Sequence, residues 1–152
     1  MHDSALRAPL LVRYPPVVKA ASQVDALVSS VDVAPTLLEF AGAKVGEQIQ
    51  GTSYAPLLTA SRFRTKGRQS VPIESFSDDR PLPWVLDADY KAIRTDRHEL
   101  IHWIQHPELD ELCDLSADPK EERNLISDHA HRDLVHKLRI ELGKLVKQSI
   151  SL

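Results

Sequence analysis

The stretch Tyr90-Lys-Ala-Ile-Arg-Thr-Asp-Arg-His-Glu-Leu-Ile-His-Trp-Ile104 decides the fold. It contains His98-Glu-Leu-Ile-His102, an H-E-x-x-H string. On a helix, two histidines four residues apart share a face and hold zinc, with the glutamate as general base. The flanks argue for strand instead. Tyr90–Thr95 and His98–Ile104 are two short runs rich in aromatic and β-branched residues, joined by the polar pair Asp96-Arg97. Such a pattern reads as a β-hairpin, although Asp-Arg is not the favoured Asp-Gly turn. In a strand His98 and His102 lie roughly 13 Å apart, too far to share a metal bonded at about 2 Å. The expectation is therefore a sheet with the histidines on its solvent face; a zinc peptidase is the less favoured alternative.

Outward from the hairpin, Ser70-Val-Pro-Ile-Glu-Ser-Phe76 and Glu111-Leu-Cys-Asp-Leu115 read as further strands. Leu134, Leu138, Leu142 and Leu145, with Val135 and Val146, recur at helical spacing. They predict a long helix over about 128–148, capped by Ser127 or Asp128 and packed on the sheet. Upstream, Ala8–Val12, closed by Pro15-Pro16, reads as a buried strand, and Ala26–Val31 as another. Residues 32–42 predict a short helix, with Asp32 as N-cap, Pro35 in the first turn and Gly42 at the stop. Arg62–Arg68 reads as a solvated basic loop.

Composition sets outer bounds. The 152 residues are 42% hydrophobic and 27% charged, with net charge −3. A disordered chain needs lower hydrophobicity and higher net charge. Lys plus Arg (19) are fewer than Asp plus Glu (22), which gives no support for nucleic-acid binding. The apolar runs are far shorter than the roughly 20 residues of a membrane span. Cys113 is the only cysteine, so no internal disulfide or cysteine zinc cluster is expected. Met1-His-Asp-Ser carries no charged-then-apolar leader, and the compartment stays open.

The acidic residues are the remaining candidates. Asp78, Asp79, Asp87 and Asp89 fall in a turn-rich stretch, where they suit a hard cation, a sugar or simply solvent, and Asp110, Glu111 and Asp114 have the same ambiguity. There is no Gly-rich phosphate loop and no Gly-x-Ser-x-Gly elbow.

The order of blocks resembles the C-terminal part of the sulfatases, the alkaline-phosphatase-like sulfuric ester hydrolases, and bacterial carbohydrate sulfatases in particular. Leu6-Arg-Ala-Pro-Leu-Leu-Val-Arg-Tyr-Pro15 is similar to the family's "R-x-P-hydrophobic run-x-P" tract. Val31-Asp-Val-Ala-Pro-Thr-Leu-Leu-Glu-Phe-Ala-Gly42 follows, then Ile49-Gln-Gly-Thr-Ser53 and Pro56-Leu-Leu58. Ala92–His102 matches a family hairpin with a "T-x-R-Y-K-L-I" tract. Glu111–Leu125 resembles "E-L-Y-D-L-x-x-D-P-x-E-x-x-N-L", with Cys113 in place of the tyrosine.

The resemblance implies an α/β fold, α+β within this stretch. Residues 1–69 would close the catalytic sheet with its last strands and helix. Residues 70–152 would form a small four-stranded antiparallel sheet packed by a long C-terminal helix. It also implies a formylglycine nucleophile made from a C/S-x-P-x-R motif, and a calcium ion held by Asp and Asn oxygens. Neither set of residues is in this sequence. Ser70-Val-Pro-Ile-Glu74 comes nearest but ends in Glu, and Cys113 is followed by Asp-Leu-Ser.

The expectation is a C-terminal piece of a sulfatase, inactive alone, with Met1 internal to a longer gene. Its substrate contacts would come from residues 76–90: Asp78, Asp79, Arg80, Trp84, Asp87 and Asp89. The alternative is a stand-alone binding module, dimeric through an exposed N-terminal strand.

Overall fold

The structure is a computed structural model, and it describes residues 6–59, 67–76 and 89–150. The chain divides into two compact units, Met1–Gln69 and Ser70–Leu152.

The first unit is built around helix α1 (Val33–Phe40), preceded by one 3-10 turn at Ser30–Asp32 and followed by the short helix α2 (Ala55–Thr59). Gly42, at φ +67°, ends α1: its N–H bonds to Glu39 O and that of Ala43 to Leu38 O. Those two bonds satisfy carbonyls the helix leaves open, and the left-handed φ favours glycine.

Asp32 does not cap α1 with its side chain, contrary to expectation. Its buried carboxylate instead accepts from Ser29 N (2.9 Å), Thr52 N (2.7 Å) and Arg68 Nε (2.8 Å), and Arg68 Nη2 pairs with it as well. Arg68 is therefore bound, not part of a solvated loop. Burial pushes the Asp32 carboxyl up, but Arg68 and the two amides outweigh it and hold it below the usual range. Thr36 Oγ1 donates to Asp32 O and accepts from Tyr54 N, tying α1 to the start of α2. Gly51, at φ +104°, makes this approach possible: a Cβ there would lie 2.2 Å from Val31 O.

The two upstream strands are not formed. Residues 7–14 are irregular, with Leu11 94% exposed. Among the described residues no ladder pairs with this run, and Pro9, Pro15 and Pro16 lack donors. Around Leu27 there is one isolated bridge to Arg68, after which the chain turns into the 3-10 helix. With the first strand goes the edge on which pairing between copies was expected.

The second unit is the expected antiparallel sheet and helix. Strands β1 (Ser70–Ser75), β2 (Tyr90–Thr95), β3 (His98–Trp103) and β4 (Glu111–Asp114) lie in sequence order. Pro72 falls on the outer strand β1, where a missing donor is tolerated. The β2–β3 link works without glycine. The Thr95 hydroxyl donates to His98 O (3.0 Å) and accepts from His98 N (2.9 Å), and Arg97 O accepts from Leu115 N.

Helix α3 (Arg132–Ile150) follows a 3-10 turn at His129–His131, and Asp128 caps that turn through Ala130 N. Val135, Leu138, Leu142 and Val146 form its buried stripe, with Leu134 and Leu145 beside it, against Ile93 and Leu100 of the inner strands and Leu112 of β4. Asn124 completes the outer side of β4. Its Oδ1 accepts from Leu112 N and its Nδ2 donates to Asp110 O, while Leu125 N donates to Leu112 O.

Candidate functional site

The β3 strand overturns the zinc reading directly. Alternation along β3 puts Glu99 on the opposite face from His98 and His102, so no helix-like zinc and base arrangement exists. The histidines are not on a free solvent face either. They share the face of Leu100, which packs against α3. His98 is 18% exposed with Asp114 at 4.0 Å; burial, set against Asp114, keeps its pKa lowered. Among the described residues, no three His, Cys, Asp or Glu side chains are grouped to hold a metal ion.

One end of the sheet carries the described part of the expected substrate stretch. Asp89 immediately precedes β2; its Oδ2 accepts from Gln105 Nε2 (3.1 Å) and its carbonyl from Ile104 N (2.9 Å). Both bonds fix the point where the chain enters the sheet from the 77–88 stretch. On the other flank, Phe76 follows β1 and is 61% exposed, with Lys91 Nζ 5.8 Å from its ring centre. Lys91 also pairs with Glu74 across the strands at 3.2 Å. Of the expected substrate residues only Asp89 is therefore located. Asp78, Asp79, Arg80, Trp84 and Asp87 lie outside the described residues.

Beside this end, Asp110, one of the acidic candidates, gathers a group that sequence reading did not assemble. Asp110, 2% exposed, opens β4. Its oxygens accept from Trp103 N (3.1 Å) and Arg139 Nη2 (2.7 Å) and lie 3.0–3.1 Å from His102 Nδ1. Trp103 Nε1 in turn donates to Glu111 Oε1 (3.2 Å), and its ring lies 5.4 Å from that of Tyr90. The only available signal was the spacing of a histidine and an aspartate around Pro107, which says nothing about pairing.

The N-sulphoglucosamine sulphohydrolase C-terminal family model matches residues 1–148. The chain belongs to that family. This sulfatase C-terminal region is 34% identical over 126 residues to the N-acetylglucosamine-6-O-sulfatase of Bacteroides thetaiotaomicron, covering 82% of the chain and 22% of the relative. It is 29% identical to an ulvan-active sulfatase of Formosa agariphila, covering 90% of the chain and 32% of the relative. It superposes with a TM-score of 0.77 on BT4656, solved in complex with its substrate D-glucosamine-2-N,6-O-disulfate, at 30% identity, covering 90% of the chain and 27% of that structure. The sulfatase region thus spans about a quarter of the length of the relatives it matches. Its sheet and long helix are those of the alkaline-phosphatase-like sulfatases. No helix among the described residues is long and apolar enough to cross a membrane.

Proposed function

We propose that this chain is the C-terminal part of a sulfatase that hydrolyses sulfate esters of a carbohydrate. The observation that carries the proposal is the family match over 1–148, supported by relatives named for glucosamine and ulvan sulfate chemistry. The two units would correspond to the end of the catalytic region (1–69) and the C-terminal subdomain (70–152). The formylglycine nucleophile and the calcium ion would be supplied by residues outside this sequence. Oxygen ligands suit such a hard cation, and its charge would offset that of the sulfate.

The chain's own contribution is substrate contact. Asp89, the first described residue after 77–88, is held by Gln105 Nε2 and Ile104 N. Trp84 would stack on a sugar face, while Asp78, Asp79, Asp87 and Asp89 would accept hydroxyl hydrogen bonds and Arg80 would meet an anionic group.

The 152-residue chain alone should release no sulfate from an aryl sulfate or from glucosamine 6-O-sulfate. Metal-dependent turnover by the isolated chain would overturn the proposal. In the complete enzyme, Trp84→Ala should raise KM for the sulfated sugar more than for an aryl sulfate; equal effects on both would remove Trp84 from sugar contact.

A further inference from the structure

A cleft of about 260 Å³ opens between Ile126 and the first turns of α3, lined by Ile126, Arg132, Val135, His136 and Arg139. Arg132, His136 and Arg139 lie at i, i+4 and i+7, so they share one helix face. All three are exposed. Arg139 is held by Asp110, whose two oxygens are also engaged by His102 and Trp103 N. Among the described residues, nothing pairs with Arg132 or His136. The acids nearest in sequence are Asp133, three residues before His136, and Asp128, whose carboxylate is taken up by Ala130 N and His131.

This arrangement is unfavourable for the helix by itself. Arg132 is the first residue of α3, where the macrodipole disfavours a cation. An unpaired cation at that position breaks a local rule, and such a position marks a site that serves something else.

The geometry points to an anion site in this cleft, built to take a sulfo group of a sulfated saccharide. Guanidinium groups match tetrahedral oxyanions with two parallel N–H donors. Arg139 is pre-positioned by Asp110, and Ile126 and Val135 supply an apolar wall for a sugar ring. The volume falls below the roughly 300 Å³ of a drug-sized pocket, which fits one charged group and part of a sugar. Arg139, through Asp110 and the Trp103 amide, ties one side of the cleft to the sheet end that carries Asp89. The saccharide carrier rests on the function proposed above; the anion chemistry stands without it.

The test is an amide-shift titration of the 152-residue chain at low ionic strength, with a disaccharide carrying glucosamine 6-O-sulfate, its desulfated form, inorganic sulfate and inorganic phosphate. The sulfated disaccharide should shift the first two turns of α3 saturably, and the desulfated form should not. Arg132→Gln with His136→Gln should weaken that binding about tenfold, whereas Leu11→Ala, at an exposed position away from the cleft lining, should leave it unchanged. Both substituted side chains are exposed and unpaired, so the variant keeps its fold. Unchanged binding in the double variant overturns the site. Inorganic sulfate or phosphate binding as tightly as the disaccharide overturns the saccharide assignment in favour of a free-anion site. Lack of sulfate release by the complete enzyme would leave this titration intact, so failure of the proposed function is read separately.

Discussion

Arg139 Nη2 donates to Asp110 Oδ2 at 2.7 Å, joining the middle of α3 to the first turn of chain before β4. The same carboxylate orders His102 and the Trp103 amide, so one buried group holds helix, strand and connection together. Asp110→Ala should cost about 1–3 kcal/mol, because the Trp103 N–H loses its acceptor while Arg139 and His102 turn to water. Arg139→Ala should cost less, since Asp110 keeps its other donors. Urea midpoints at unchanged m report both values, and equal costs would contradict this division.

Asp114 gives the acid dependence. Arg97 binds its carboxylate through Nε and Nη2, outweighing burial, and the Ser116 and Ala117 amides add to it; together they hold the group at about 2, against 3.8 when free. A carboxylate held low in the folded state stabilises above its unfolded value. That contribution should be complete above about pH 4 and fade as the pH falls towards 2. Asp114→Asn should lower stability at pH 7 and flatten the slope of urea midpoint against pH in that window. An unaltered slope would remove Asp114 from the acid response.

Cys113 is 4% exposed, and burial with the nearby Glu121, Glu111, Glu99 and Asp118 charges pushes its thiol up to about 11. Only the thiolate reacts as a nucleophile. A disulfide reagent at pH 8 should leave Cys113 unmodified in the native chain and label it fully in urea. Rapid native labelling would contradict the burial.

Gly51 is the position least open to change. Any side chain meets Val31 O and must also adopt a φ of +104°. Gly51→Ala should cost about 1–3 kcal/mol or more, and it should free Thr52 N from Asp32. Loss of amide protection at Thr52 in hydrogen exchange would be the local signature. By contrast Leu11→Ala, at a 94% exposed position, should stay within about 0.5 kcal/mol of wild type.

The hairpin and α3 were legible because their signals are local. Alternation around Ile93 and Leu100 and the stripe through Leu138 and Leu142 state their own faces, and both proved right. Asp32 was not legible. Its partners Thr52 and Arg68 lie 20 and 36 residues away, and a short polar side chain before an apolar run looks like an ordinary cap. The strands upstream failed for a related reason: apolar residues between prolines announce burial, but a strand also needs a neighbour, and no sequence pattern supplies one. At the candidate site the clustering of carboxylates was visible, whereas Asp110, His102 and Arg139 meet only through the fold.

Asn124 has one more consequence. By occupying Leu112 N from outside, with Leu125 N on Leu112 O, it occupies both backbone groups of Leu112 that a neighbouring molecule could have used for strand addition. At the opposite margin Pro72 offers no amide. The small sheet is thus terminated at both margins by covalent chemistry and a side-chain amide, and growth into fibrils by templating has a poor starting point on either side. Self-association of this region, where it occurs, should run through side-chain surfaces and not through shared sheets.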